Sequence, residues 1–113
     1  MTKDESILIT VKTMLGPSED YEAFDTDIIV HINSAFERLC ELGVGPSEPF
    51  SIEDEGAVWN DFSSEVTWQA IRYIVLYVKK VFDPTANATI KQAYEEELNK
   101  LEWLMNSVAE VGY

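Results

Sequence analysis

Apolar residues recur at helical spacing in four stretches of this chain, and each stretch closes on a stop signal. The first places Ile7, Leu8, Val11, Met14 and Leu15 on one face, the period of an amphipathic helix. Thr2 and Glu5 ahead of it have capping-box spacing, in which each side chain bonds the other residue's backbone N–H. Gly16-Pro17 ends it, because proline cannot continue a helix and glycine suits the left-handed residue just past its end. The second stretch carries Ile28, Ile29, Ile32, Ala35, Phe36, Leu39 and Cys40, the best amphipathic pattern of the first half. An acidic linker, Ser18 to Glu22, leads into its start at Phe24-Asp25-Thr26-Asp27. There Asp25 or Thr26 can cap, and Phe24 can staple the first turn. Gly43-Val44-Gly45-Pro46 closes it.

The third stretch opens at Ser63-Ser64-Glu65 and stops at Asp83-Pro84. Ala70, Ile71, Ile74, Val75, Val78, Val81 and Phe82 fill more than one stripe, while Trp68, Tyr73 and Tyr77 fall on other faces. Such a helix is enclosed by neighbours on most sides. The fourth begins near Asn87 or Thr89 and runs towards Ala109, with Ile90, Tyr94, Leu98, Leu101, Leu104, Met105 and Val108 at heptad-like spacing. About 23 residues make a helix of ~34 Å, long enough for one end to project beyond its own core. Trp103 lies off the stripe.

Residues 43–62 are the least helical part. Gly43, Gly45, Pro46 and Pro49 interrupt them, Phe50-Ser51-Ile52 alternates like a very short strand, and Glu53-Asp54-Glu55-Gly56 reads as a charged turn. Ala57 to Phe62 then carries two large aromatics, Trp59 and Phe62. Long structureless loops are uncommon in compact domains, so a packed loop or small hairpin carrying a specific contact is expected here. The expected fold is all-α: one domain over residues 1–113, a small four-helix bundle-like arrangement with this irregular loop or short hairpin between helices two and three.

Composition supports a core. Of 113 residues, 46 % are apolar, and a chain of this length buries roughly two-thirds of the surface it exposes when unfolded. The net charge of −13, from 21 acids against 8 bases, argues against partners that need cations: nucleic acid held by its phosphates, or anionic membrane surfaces. It also sets identical copies against one another, so self-association needs apolar contacts, paired charges or screening over the ~8 Å Debye length of physiological salt. No apolar run approaches the ~20 residues that span a bilayer, and neither a signal peptide nor a lipidation motif is expected at the N-terminus. Cys40 is the one cysteine, which rules out an intrachain disulfide.

A search for catalytic chemistry returns little. His31 is the single histidine, so no two-histidine metal site can form within one chain; a rim histidine is the simpler reading. Cys40, among Phe36, Leu39 and Leu42 in sequence, suits a small core residue better than a nucleophile, which needs a base and a polar setting. Glu53-Asp54-Glu55 lacks the alternation of a calcium loop. Glu37 and Glu41 have acid–base spacing, but nothing sets them apart from the other nineteen acids. Gly43-Val44-Gly45 lacks the preceding strand and third glycine of a nucleotide fingerprint. The chain is therefore expected to be no enzyme and to hold neither cofactor nor metal.

Charge and aromatic content point instead to binding. Between Thr13 and Val78 thirteen acids face only Arg38 and Arg72, a strongly negative middle; the simple reading is a solvated acidic surface, the functional one a DNA-repelling or partner-steering face. Three tryptophans, five tyrosines and five phenylalanines are plentiful for this length; the simple reading places most of them in the core, but Trp and Tyr also anchor interfaces. The candidate subunit or partner interface is Phe50, Trp59, Phe62, Trp103, Met105 and Tyr113. The 43–62 loop and the fourth helix are expected to carry most of the contact.

The order of segments is itself informative. A short helix ends at Met14-Leu15-Gly16. Phe24-Asp25-Thr26-Asp27-Ile28-Ile29 opens the next, followed by Leu42-Gly43-Val44-Gly45-Pro46, Phe50-Ser51-Ile52 and Trp59-Asn60-Asp61-Phe62. Tyr77-Val78-Lys79 leads to Phe82-Asp83-Pro84-Thr85, and Glu102-Trp103 lies within the last helix. Across nearly its whole length the chain resembles the small head–tail connector (adaptor, or DNA-packaging) proteins of long-tailed phages of Gram-positive bacteria. The resemblance implies a helical bundle without catalytic positions. It implies subunits that form a homo-oligomeric ring, typically dodecameric in the virion, docked below the portal protein. Such a ring extends the DNA channel without binding DNA specifically and gives the tail or a head-completion protein its docking surface. The implied location is the virion's head–tail interface, with host cytoplasm during assembly. Other readings are a head-closure or tail-completion protein, which the helical periodicity disfavours, a small acidic helical module outside a virion that binds protein or mimics DNA, and an enzyme on a helical fold.

Overall fold

The computed structural model describes residues 4–15, 24–64, 66–82 and 87–111. The described residues form five helices: α1 (Ile7–Leu15), α2 (Asp25–Glu41), α3 (Trp59–Phe62), α4 (Trp68–Phe82) and α5 (Ala88–Val111). The four predicted helices are α1, α2, α4 and α5; α3 is one turn inside the 43–62 segment. No strand occurs among the described residues, and the expected short strand at 50–52 is absent. A lone antiparallel bridge joins Ser6 to Val58 instead.

α4 is the central element, as its all-round apolar pattern predicts: it packs against α1, α2 and α5. Tyr73, Ile74, Val75, Leu76 and Val78 are buried on it. α2 adds Ile28, Ile32, Ala35, Phe36 and Leu39, and α5 adds Leu98, Leu101 and Met105. Three residues depart from their expected faces, among them Val81 of α4, which is 53 % exposed. Met14 is half exposed, and Trp68 is 65 % exposed on the first turn of α4. The Phe82 and Val108 side chains lie outside the described residues, as do the stop signals at Gly16-Pro17 and Asp83-Pro84.

Helix starts shift where a tertiary contact overrides the local signal. The expected cap at Thr2 lies outside the described residues, and Glu5 is not helical. The Glu5 carbonyl accepts the Trp59 N–H at 3.3 Å, and the Ile7 N–H donates to the Ala57 carbonyl at 3.0 Å. These bonds keep the chain out of the helix until Ser6, whose Oγ caps α1 by accepting the Ile9 N–H at 3.3 Å. Asp25 is already helical rather than a cap; its carboxylate instead pairs with Lys12 of α1 at 2.8 Å. α4 starts at Trp68, later than Ser63, with the Thr67 hydroxyl capping the Ala70 N–H at 3.2 Å. Asn87 caps α5 as predicted, accepting the Ile90 N–H at 2.9 Å.

The end of α2 follows the glycine signal. Gly43 sits at φ +80°, the Val44 N–H reaches back to the Leu39 carbonyl at 2.9 Å, and the Gly43 N–H reaches Cys40 at 3.0 Å. This paired closure satisfies two carbonyls that the helix end leaves free. Gly45, at φ +87°, lies so close to Phe62 that a Cβ there would fall 2.5 Å from the ring's Cζ.

Candidate interaction surfaces

The 43–62 segment is built inward. Phe36 of α2 meets Phe50 edge-on at 5.0 Å between ring centres and Phe62 at 4.8 Å, and Phe50 meets Phe62 at 5.7 Å. Trp59 is wholly buried, and its indole N–H donates to the Thr10 hydroxyl at 3.2 Å. That hydroxyl in turn donates to the Ser6 carbonyl at 2.7 Å. The Asn33 side chain does what a strand partner would do: its Oδ1 accepts the Ile52 N–H at 2.7 Å and its Nδ2 donates to the Ile52 carbonyl at 3.0 Å. Both backbone groups of Ile52 are thereby paired without a second strand, which is why the expected hairpin is unnecessary.

Of the six candidate interface residues, Trp59, Phe62 and Met105 are therefore buried within the chain, and Phe50 is half-buried in the aromatic cluster. Trp103 is 68 % exposed on the outer side of α5. Tyr113 lies outside the described residues. Sequence reasoning missed Trp68, assigned to an enclosed face because a helix apolar on most sides was expected to be covered all round; it lies at the exposed first turn of α4.

The segment's polar edge faces outward. Asp27, Glu37, Glu41, Glu48, Glu53, Asp54, Glu55 and Asp61 are all exposed. The one base in this span is Arg38, and it is held by Glu41 at 2.9 Å and Glu102 at 2.8 Å. Asp54 accepts the Gly56 N–H at 2.8 Å, closing the charged turn. These carboxylates give the exposed surface of α2 and the loop a strongly negative character. No group of three or more metal-ligating side chains forms among the described residues. Cys40 is half-buried, its thiol 3.6 Å from the Ser47 carbonyl, and His31 is half-buried on α2.

Glu102 of α5 joins three helices. Besides Arg38 on α2 it accepts the Tyr73 hydroxyl of α4 at 2.7 Å. Burial, then this bond, pushes the Tyr73 hydroxyl well above its ordinary pKa. The bonds to Glu102 and Glu41 hold the Arg38 guanidinium even more firmly protonated than usual. Two further pairs, Arg72–Glu97 and Lys80–Glu95, each at 3.1 Å, lace α4 to α5.

The described residues thus form an all-α fold with an acidic outer surface. The sequence profile of a family described as phage connector protein matches residues 7–112. The chain belongs to that family. No curated protein and no solved structure compared with it matches. Phage connectors are structural components that assemble with other head and tail proteins, so this connector's surfaces are read as assembly surfaces. None of its helices in the described residues is long and apolar enough to cross a membrane.

Proposed function

We propose that this connector is a head–tail adaptor subunit that forms a homo-oligomeric ring beneath the portal protein, extends the DNA channel and docks the tail or a head-completion protein. The observation that carries the proposal is the family match over residues 7–112. The acidic stretch from Asp27 to Asp61 supports it. A wall without free cations offers phosphates nothing to bind, so DNA passes without sticking. Dodecameric symmetry, in keeping with the resemblance, is part of the proposal, as is assembly from subunits in the host cytoplasm. Ring formation needs a heterologous contact, one patch meeting a different patch on the next copy. Trp103 and the rim of the 43–62 loop are the proposed contributors. Met105, Trp59 and Phe62 act behind them as support, because they are buried at home.

Light scattering and negative-stain microscopy of the purified chain, alone and mixed with a portal ring, test this reading. A closed ring or a stable complex with the portal is expected. A chain that neither closes nor binds the portal at high concentration overturns it in favour of a small acidic protein-binding module.

A further inference from the structure

The outer side of α5 differs in charge from the acidic stretch over α2 and the loop. Glu95, Glu97 and Glu102 are turned sideways onto Lys80, Arg72 and Arg38. The row left facing outward is Ala93, Glu96, Lys100 and Trp103, all exposed. Their spacing of three, four and three residues sets them in one line along the helix. That line holds one acid, one base, one small side chain and one large ring. Lys100 makes no ion pair among the described residues, and Glu96 accepts only a long 3.4 Å bond from Gln92.

The order of this row is self-complementary on reversal. Place a two-fold axis midway between Glu96 and Lys100 and lay a second copy antiparallel. Each Lys100 then faces a Glu96, and each Trp103 lies over an Ala93, whose small side chain lets the helices approach to the usual ~8–10 Å. A contact of this kind is isologous: the same patch serves both copies. We propose that two copies of this chain pair through α5 in this antiparallel register. Although the net charge of −13 sets copies against one another, the charges of this row fit a second copy. The acidic stretch repels a like molecule, whereas this row offers it two reciprocal ion pairs and two buried indoles. The inference does not depend on the adaptor reading; because it shares Trp103 with the proposed ring contact, the pair belongs to free subunits and must open before a ring closes.

One helical row is a small interface by the standard of stable complexes, so the pair is weak. Sedimentation velocity of the full chain over about 5–500 µM covers the relevant range. A reversible monomer–dimer equilibrium is expected. Lys100→Glu sets carboxylate against carboxylate on both sides of the axis and should weaken the dimer at least ~10-fold; Glu96→Lys should do the same with ammonium groups. The double variant exchanges the signs and should restore the dimer, as facing Glu96 and Lys100 across the axis requires. Both positions are exposed, and circular dichroism confirms that each variant folds. A monomer throughout, or a dimer indifferent to the single changes, overturns the pairing. So does an oligomer weakened by Lys100→Glu but not rescued by the double exchange, a result that would leave the adaptor reading standing.

Discussion

The 43–62 segment reverses the role its sequence suggests, whereas α5 keeps to its own. The segment has no strand and a single helical turn, yet it contributes Ile52, Trp59 and Phe62 to the core. α5 is a long regular helix, yet it buries only one stripe and leaves Trp103 in solvent. At 24 residues against 15 for α4, it is longer than its main partner by ~13 Å and cannot be covered by it throughout. Regularity of backbone and depth of burial are thus separate properties. A loop buries aromatics when its backbone groups find partners, and here Asn33, Glu5 and the glycines of the Leu42–Pro46 turn provide for that. A helix needs no such help and is free to expose a ring.

The sharpest way to break this contrast is to treat the loop as if it were a surface. Phe62→Ala removes a ring packed on Phe36, Phe50 and the Gly45 backbone. Large-to-small changes of a buried aromatic cost about 3–5 kcal/mol. Urea denaturation should show a loss of that size, and a loss under ~1 kcal/mol would return the segment to the surface.

The next effect tests how the loop keeps its backbone satisfied. Asn33→Ala removes both bonds to Ile52 while leaving α2 a good helix former. Leaving part-buried backbone groups unpaired costs about 2 kcal/mol. Amide exchange at Ile52 should quicken far more than at Leu101. Equal changes at both would mean global unfolding and no local latch.

These two positions also show what was legible in the chain. The period of apolar residues revealed four helices, because 3.6-residue spacing is local information. Gly43 announced the end of α2 for the same reason. The starts of α1 and α4 were misplaced, because Thr2 and Ser63 are adequate local caps, and only pairing with the 57–59 backbone, or the use of the Ser63 N–H to close α3 on the Trp59 carbonyl, decides otherwise. Asn33 passed unnoticed, since nothing in its surroundings on α2 reveals a partner at Ile52. The candidate surface suffered most. Counting aromatics identifies rings that can anchor an interface, but burial separates Trp59 from Trp103, and burial is a property of the whole fold.

Tyr73 tests the α5 side from within. Tyr73→Phe keeps the packing and removes the bond to Glu102, at a cost of about 1 kcal/mol at neutral pH. Because burial and Glu102 raise this hydroxyl's pKa in the folded chain, the unfolded chain releases the proton first, near pH 10. The tyrosine's contribution is full below that pH and is lost as pH rises through the higher folded value. Stability of the parent chain should therefore fall more steeply above pH 10 than that of the variant; parallel alkaline limbs would sink the assignment.

Trp103→Ser should have the smallest effect on folding and the clearest on assembly. The indole is 68 % exposed and opposite the stripe formed by Leu98, Leu101 and Met105, so its removal should shift stability by no more than about 0.5 kcal/mol. Helix propensity differs little between the two residues. Phe62→Ala should instead lower stability and assembly together, because it disturbs the support of the whole loop. If Trp103→Ser leaves the urea midpoint in place and abolishes self-association, the exposed ring is an assembly anchor and the contrast between loop and helix is functional. If it lowers the midpoint as Phe62→Ala does, Trp103 belongs to the core and the distinction between the two regions fails at its most exposed residue.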